Sequence, residues 1–304
     1  MATRKKETVK ARKSEGFVEF LPRFVDPAGT RGIPAQRDTE FVEVPIESIC
    51  GGIDNSQPVE QYDGTLGVTA DFVNQHQGAV GNIQWNSNLA AIYTNPGNVS
   101  GVRFCSGTLI GADLFLTAGH CFDQTGGGWA RPRINGTDLI IPPEEIATNM
   151  HIDFNYQSDP TGKPREIQSF AIVELLEYRL NGLDFAIVRV AGNPGQTFGI
   201  TGVSQQDASI GDMLCIIGHP EGMPKRIEAG PLSGISDNFL LYNDIDTLGG
   251  SSGSGILGPA GTVVGVHTNG GCDDVAVGNN FGVRISPILA ASPILGGLLF
   301  PLCS

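Results

Sequence analysis

No apolar stretch of this sequence runs far before a glycine, a proline or a polar turn cluster interrupts it. VRFCSGTLI (102–110), LFLTAGH (114–120), FAIVRV (185–190), MLCIIGH (213–219), RIEAGPLSGI (226–235), FLLYN (239–243), GSGILG (253–258) and TVVGVHT (262–268) follow one another in this way. Short runs rich in β-branched and aromatic residues suit strands and leave little room for long helices or coiled coils. The chain has 42 glycines in 304 residues, roughly twice the ordinary share, and they supply the turns that short strands need. An all-β sandwich or barrel is the architecture expected. A terminal helix fits best at 285–298, limited by Pro287 and Pro293. The Gly/Pro-rich break AGNPGQTFG (191–199) is the candidate linker between two units. An extended surface loop is expected within Thr125 to Lys163.

Charge divides the chain unequally. The whole carries a net charge of −13, yet residues 1–47 hold nine Lys/Arg against eight Asp/Glu. The first 13 residues alone have six basic side chains and one acidic one. Such a run reads as a solvated tail, so residues 1–47 are expected to be a disordered basic leader or pro-segment. The acidic remainder offers no basic patch, so no nucleic-acid partner is expected. No uncharged apolar run follows the basic start in the manner of a signal peptide, and none reaches the length of a membrane span. Neither a membrane partner nor a standard export signal is expected.

Three further segments carry chemistry. Phe104-Cys105-Ser106-Gly107-Thr108-Leu109-Ile110 precedes Thr117-Ala118-Gly119-His120-Cys121. Leu183-Asp184-Phe185-Ala186 opens an apolar run. Thr247-Leu248-Gly249-Gly250-Ser251-Ser252-Gly253-Ser254-Gly255 is a Gly/Ser loop. The loop also fits the G-x-S-x-G elbow of α/β-hydrolases, but that fold needs the order Ser, acid, His. His267, the one histidine after the elbow serine Ser251, follows by only 16 residues, and its nearby acids Asp273 and Asp274 come after it.

The order His120, Asp184, Ser252 resembles the chymotrypsin-like (trypsin-like) serine proteases. The resemblance extends over about residues 48–290. It implies two antiparallel six-stranded β-barrels with a short C-terminal helix. The first barrel would span about 48–193, the second about 194–285, with a C-terminal segment at 286–304. It implies Ser252 as nucleophile, His120 as its base and Asp184 as the group that orients and stabilises the imidazolium. The backbone N–H groups of Gly250 and Ser252 would form the oxyanion hole. Cys105–Cys121 would form a disulfide across the His120 loop.

Val264-Gly265-Val266-His267-Thr268 resembles the strand that walls the substrate pocket in the bacterial glutamyl endopeptidase branch. There a histidine and a Ser/Thr five residues before the nucleophile bind the carboxylate of the P1 side chain. His267 and Thr247 take these places, and an imidazole can gain a proton and a charge-assisted hydrogen bond as a carboxylate enters. Ser48-Ile49-Cys50-Gly51-Gly52-Ile53-Asp54 resembles the mature start of that branch, so self-cleavage after Glu47 is expected. By resemblance to lysyl endopeptidases, Cys50 could pair with Cys272. Cys215 and Cys303 are then a pair or free thiols.

The expected activity is serine endopeptidase hydrolysis of polypeptides after Glu or Asp, with no cofactor and no metal. A monomer in a secreted or extracytoplasmic setting is the expected context. The alternatives are the same protease with Lys/Arg specificity, kept open by Asp273 and Asp274, and a catalytically silent binding protein on the same fold.

Overall fold

A computed structural model describes residues 48–125, 129–180, 182–272 and 278–299. The expected leader at 1–47, Asp273, Asp274 and Cys303 lie outside the described residues.

Among the described residues, fourteen strands make up most of the regular secondary structure. The first, β1 (Gln57–Pro58), is followed by β2 (Val80–Trp85), β3 (Arg103–Leu109), β4 (Leu114–Thr117), β5 (Met150–Phe154), β6 (Gln168–Arg179) and β7 (Phe185–Val190). Then come β8 (Met213–Gly218), β9 (Arg226–Pro231), β10 (Gly234–Ser236), β11 (Phe239–Tyr242), β12 (Gly255–Leu257), β13 (Val263–Asn269) and β14 (Asn280–Arg284). Five short α-helices join them: α1 (Ala70–His76), α2 (Pro143–Thr148), α3 (Gly195–Phe198), α4 (Ile285–Ala291) and α5 (Pro293–Leu299). The expected terminal helix is thus a pair, broken at Ser292 where Pro293 cannot continue the ladder.

Strands β2-β3-β4-β7-β6-β5 close into a six-stranded barrel, as expected. The second half is an eight-stranded antiparallel sheet in the order β1-β9-β8-β12-β13-β14-β11-β10. Its inner six strands match the number expected of a second barrel. The two additions are edge strands of two and three residues, one of them from the N-terminal segment. In this way residues 57–58, which precede the barrel in sequence, pair with Ile227 and Arg226 of the second sheet. The Gly/Pro-rich break at 191–199 falls between β7 and β8 and contains α3.

Within the region Thr125 to Lys163, the described residues 129–163 include regular elements in place of one extended surface loop. The region holds α2, opened by Pro143 with Glu144 and Glu145 in its first turn, a favourable charge placement. It also holds β5, which closes the barrel against β2 through Ile83↔Ile152 and Asn82↔Asp153.

Several strands are buried on both faces, so consecutive residues such as Phe115 and Leu116 both enter the packing. Trp85, Leu109, Phe115, Leu116, Ile152, Phe154 and Ile187 are buried within the barrel half. Phe154 stacks on Phe198 of α3 at 4.6 Å between ring centroids. Leu214, Ile216, Leu240, Tyr242, Ile245, Ile256 and Val264 form the second core. Between β12 and β14, β13 is buried along its whole length, so any polar group on it is desolvated. Among the described residues no helix is long and apolar enough to cross a membrane.

Candidate active site

His120 sits on a short 3-10 turn, Gly119–Phe122, directly after β4. The Cys105–Cys121 disulfide ties that turn to β3, with the two Cα atoms 6.2 Å apart. Asp184 stands at the mouth of β7 and reaches the turn with both carboxylate oxygens. The His120 backbone N–H donates to Oδ1 at 2.8 Å, and His120 Nδ1 lies 2.7 Å from Oδ2. Asp184 is buried, whereas the His120 side chain keeps 19% of its surface exposed. An imidazole held this way by one nitrogen has its ring orientation fixed.

The loop of Ser252 runs from β11 to β12 and is clamped from both halves. Ser106 of β3 is the centre of the clamp. Its N–H donates to the Ser252 carbonyl at 2.9 Å, and its hydroxyl donates to the Gly250 carbonyl at 2.7 Å. The same hydroxyl accepts the His219 N–H at 2.9 Å, and the Ser106 carbonyl accepts the Thr117 hydroxyl at 2.7 Å. From the other side, Gly253 N–H donates to the His267 carbonyl at 2.8 Å. Two glycines make this geometry possible. Gly250 has φ +108, with the His219 carbonyl 2.5 Å from where a Cβ would stand. Gly253 has φ +86, and a Cβ there would lie 2.0 Å from the Thr117 hydroxyl and 2.8 Å from the Ala118 nitrogen. Ser252 is therefore anchored against the strand end that leads into His120. Among the described residues the Gly250 N–H has no hydrogen-bond acceptor.

His267, on β13, is fully buried. Its Nδ1 bonds to the Tyr242 hydroxyl, while Nε2 has no partner. Burial, and secondarily the nearby His120, pushes its pKa down to about 3. The ring is thus neutral near pH 7. Thr247 is also buried, with an unpartnered hydroxyl. It lines a small cavity with Leu248, Ser251, Glu228 and Asp246, and His267 is not part of that lining.

Both cysteine pairings implied by resemblance are formed. Cys50–Cys272 links residues 222 apart in sequence, and Cys215 is a buried free thiol. The sulfurs of Cys105 and Cys121 approach His120 closely enough for a shared metal, but as a disulfide they hold no thiolate to offer one. Ser106, Tyr242 and the Glu228–Asp246 pair escaped sequence reasoning. A glutamate inside the apolar run RIEAG, and Asp244 and Asp246 just ahead of the Gly/Ser loop, were the available signals.

The family model of the trypsin-like peptidase domain matches residues 105–266, just over half of the chain. The chain belongs to the trypsin-like peptidase family. A glutamyl endopeptidase of Bacillus licheniformis is 28% identical over 186 residues, covering 56% of this chain and 53% of that protein. A glutamyl endopeptidase of Staphylococcus epidermidis is 27% identical over 160 residues, covering 45% of this chain and 55% of its own. The chain thus spans about half the length of the curated relatives it matches. Among solved structures, a Glu endopeptidase in complex with MPD superposes with a TM-score of 0.52 at 20% identity, covering 80% of this chain and 96% of that one. Human heparin binding protein gives a TM-score of 0.54 at 15% identity, covering 82% and 98%. These two likenesses concern the fold, which is chymotrypsin-like.

Proposed function

We propose that this member of the trypsin-like peptidase family is a serine endopeptidase that cleaves polypeptides after Glu or Asp. The observation that carries the reading is the 2.7 Å contact between His120 Nδ1 and Asp184 Oδ2 at the strand end packed against the Ser252 loop. In this reading Ser252 attacks the scissile carbonyl. His120 takes its proton and returns it to the leaving amine, and water then hydrolyses the acyl-enzyme. Asp184 holds the imidazole and stabilises its charged form. The N–H groups of Gly250 and Ser252 receive the oxyanion, and the unaccepted Gly250 N–H suits that role.

Specificity for an acidic side chain rests on His267 and Thr247. His267 Nε2 is buried without a partner, and such an atom gains most from an entering carboxylate; the Thr247 hydroxyl is also unpartnered but opens on the cavity lined by Glu228 and Asp246. With Tyr242 donating to Nδ1, the neutral His267 ring would carry its proton on Nε2 and offer it to the substrate.

The body is proposed to begin at Ser48, after removal of residues 1–47. Ser48 supports this: its hydroxyl accepts the Gly271 and Cys272 N–H groups at 3.0 and 2.7 Å. Its carbonyl accepts the Asn280 amide at 2.7 Å. Two disulfides favour an oxidising, extracytoplasmic setting.

The deciding experiment digests a protein of known sequence and maps the new termini. Cleavage after Glu and Asp, lost in Ser252→Ala, is the expected result. Cleavage after Lys or Arg would replace the specificity, and no cleavage or fluorophosphonate labelling would favour a silent binding protein.

A further inference from the structure

The cavity beneath the Ser252 loop gathers negative charge that the peptidase reading does not use. Asp54 from the N-terminal segment, Glu228 from β9 and Asp246, next to Thr247, all line it. One oxygen from each of the three carboxylates lies within 4.8 Å of the others. Glu228 and Asp246 are each only 5% exposed, and Glu228 Oε1 has no partner. The Thr247 hydroxyl, on the same wall, has none either.

Arg226 is the one cationic side chain in the described lining of the cavity, and it eases the charge on Glu228 without pairing with it. Among the described residues neither Asp54, Glu228 nor Asp246 forms an ion pair with Lys, Arg or His. Arg226 lines the cavity, but its Nε donates to the Ser56 hydroxyl at 2.5 Å and Nη2 bonds to the Ser56 carbonyl. The contacts to the acids come from neutral donors. Asp246 accepts the Cys50 N–H at 2.7 Å and the Asn55 N–H at 3.1 Å. The Asn55 side-chain amide, turned to satisfy both its ends, donates to Glu228 Oε2 at 2.7 Å and to Asp246 Oδ2 at 3.3 Å. Asp54 accepts the Ser56 N–H at 2.9 Å and is itself exposed, leaving one side open to solvent.

We propose that Asp54, Glu228 and Asp246 form a binding site for a divalent cation of calcium's size. The geometry fits: oxygens ~2.4 Å from one ion lie no more than ~4.8 Å apart. The donor set is all oxygen, which suits a hard cation and not a thiophilic metal. Water completes the shell on the side of Asp54. The bound ion would join three distant stretches of chain: the N-terminal segment, β9 and the approach to the Ser252 loop. It is independent of the bond-breaking chemistry.

The test uses the full chain, stripped with EDTA, dialysed, and titrated with CaCl2 by calorimetry and thermal unfolding. One Ca2+ should bind per chain and raise Tm by about 5 °C at a hundredfold excess over the dissociation constant. Affinity should fall about tenfold or more in Asp54→Asn, an exposed position that leaves the core intact, and in Glu228→Gln. The proposal is overturned by the absence of binding heat, or by a Tm rise that KCl reproduces at matched ionic strength. It is equally overturned by unchanged affinity in both variants, or in Asp54→Asn alone should Glu228→Gln fail to fold.

Discussion

Asp184 holds its backbone at φ +25, a region that costs a non-glycine residue roughly 1–3 kcal/mol. Two charge-assisted bonds to His120 hold it there. Asp184→Asn keeps the size of the side chain but places an amide against the ring, favouring the wrong imidazole tautomer. We expect kcat on a Glu substrate to fall about 10⁴-fold with stability little changed, read from steady-state kinetics beside urea unfolding. His267 gives a pH prediction. Its pKa falls from 6.5 unfolded to about 3 folded. Between those values the unfolded chain binds a proton that the folded chain does not. Stability therefore falls as pH drops through that window, by up to about 1.4 kcal/mol per pH unit. Urea unfolding at pH 6.5 and 4.5 should show a smaller loss in His267→Gln than in the wild type; equal losses would refute the assignment. His120, Asp184 and Ser252 stand out as candidates because each lies inside a contiguous motif. Ser106 does not, because its partners Gly250 and His219 stand 144 and 113 residues away, and register across two sheets leaves no local mark.

At the level of elements, the strands that could be read were those whose sequence is apolar on both faces. β7, β8, β12 and β13 are buried almost throughout, so their runs stand out. β6 escaped because its twelve residues are largely exposed, with Glu174, Glu177 and Arg179 breaking the run. β5 escaped because a five-residue strand bearing His151 and Asp153 sits in a stretch otherwise rich in turn residues. Its role is nonetheless structural: Phe154 is fully buried and stacks on Phe198. Phe154→Ala should cost about 3–5 kcal/mol in urea unfolding. A loss below about 1 kcal/mol would mean that the segment is a dispensable loop.

For the whole molecule, the net charge of −13 opposes the arrival of acidic substrates. Any preference for Glu must come from groups in the pocket acting against that field. Raising ionic strength from about 20 to 200 mM shortens the screening length from roughly 20 to 7 Å. We therefore expect kcat/KM for a peptide with several acidic residues to rise with salt, and for one with basic flanks to fall. Parallel responses of the two peptides would remove the argument. The Gly/Pro break at 191–199 falls between the last barrel strand and the first of the second sheet's inner strands. The return of residues 48–58 to the second sheet could not be read from the sequence, because only tertiary pairing reveals it. That return has a consequence for how the protein is made. On a ribosome the barrel strands from 80 to 190 emerge together and can close early. Ser48, Cys50 and β1 emerge before them but must wait for Ile227, Cys272 and Asn280. The first described segment to leave the tunnel is thus among the last to find its place. Through that interval the Cys50 thiol has no native partner and is open to exchange with the thiols of Cys105, Cys121 and Cys215.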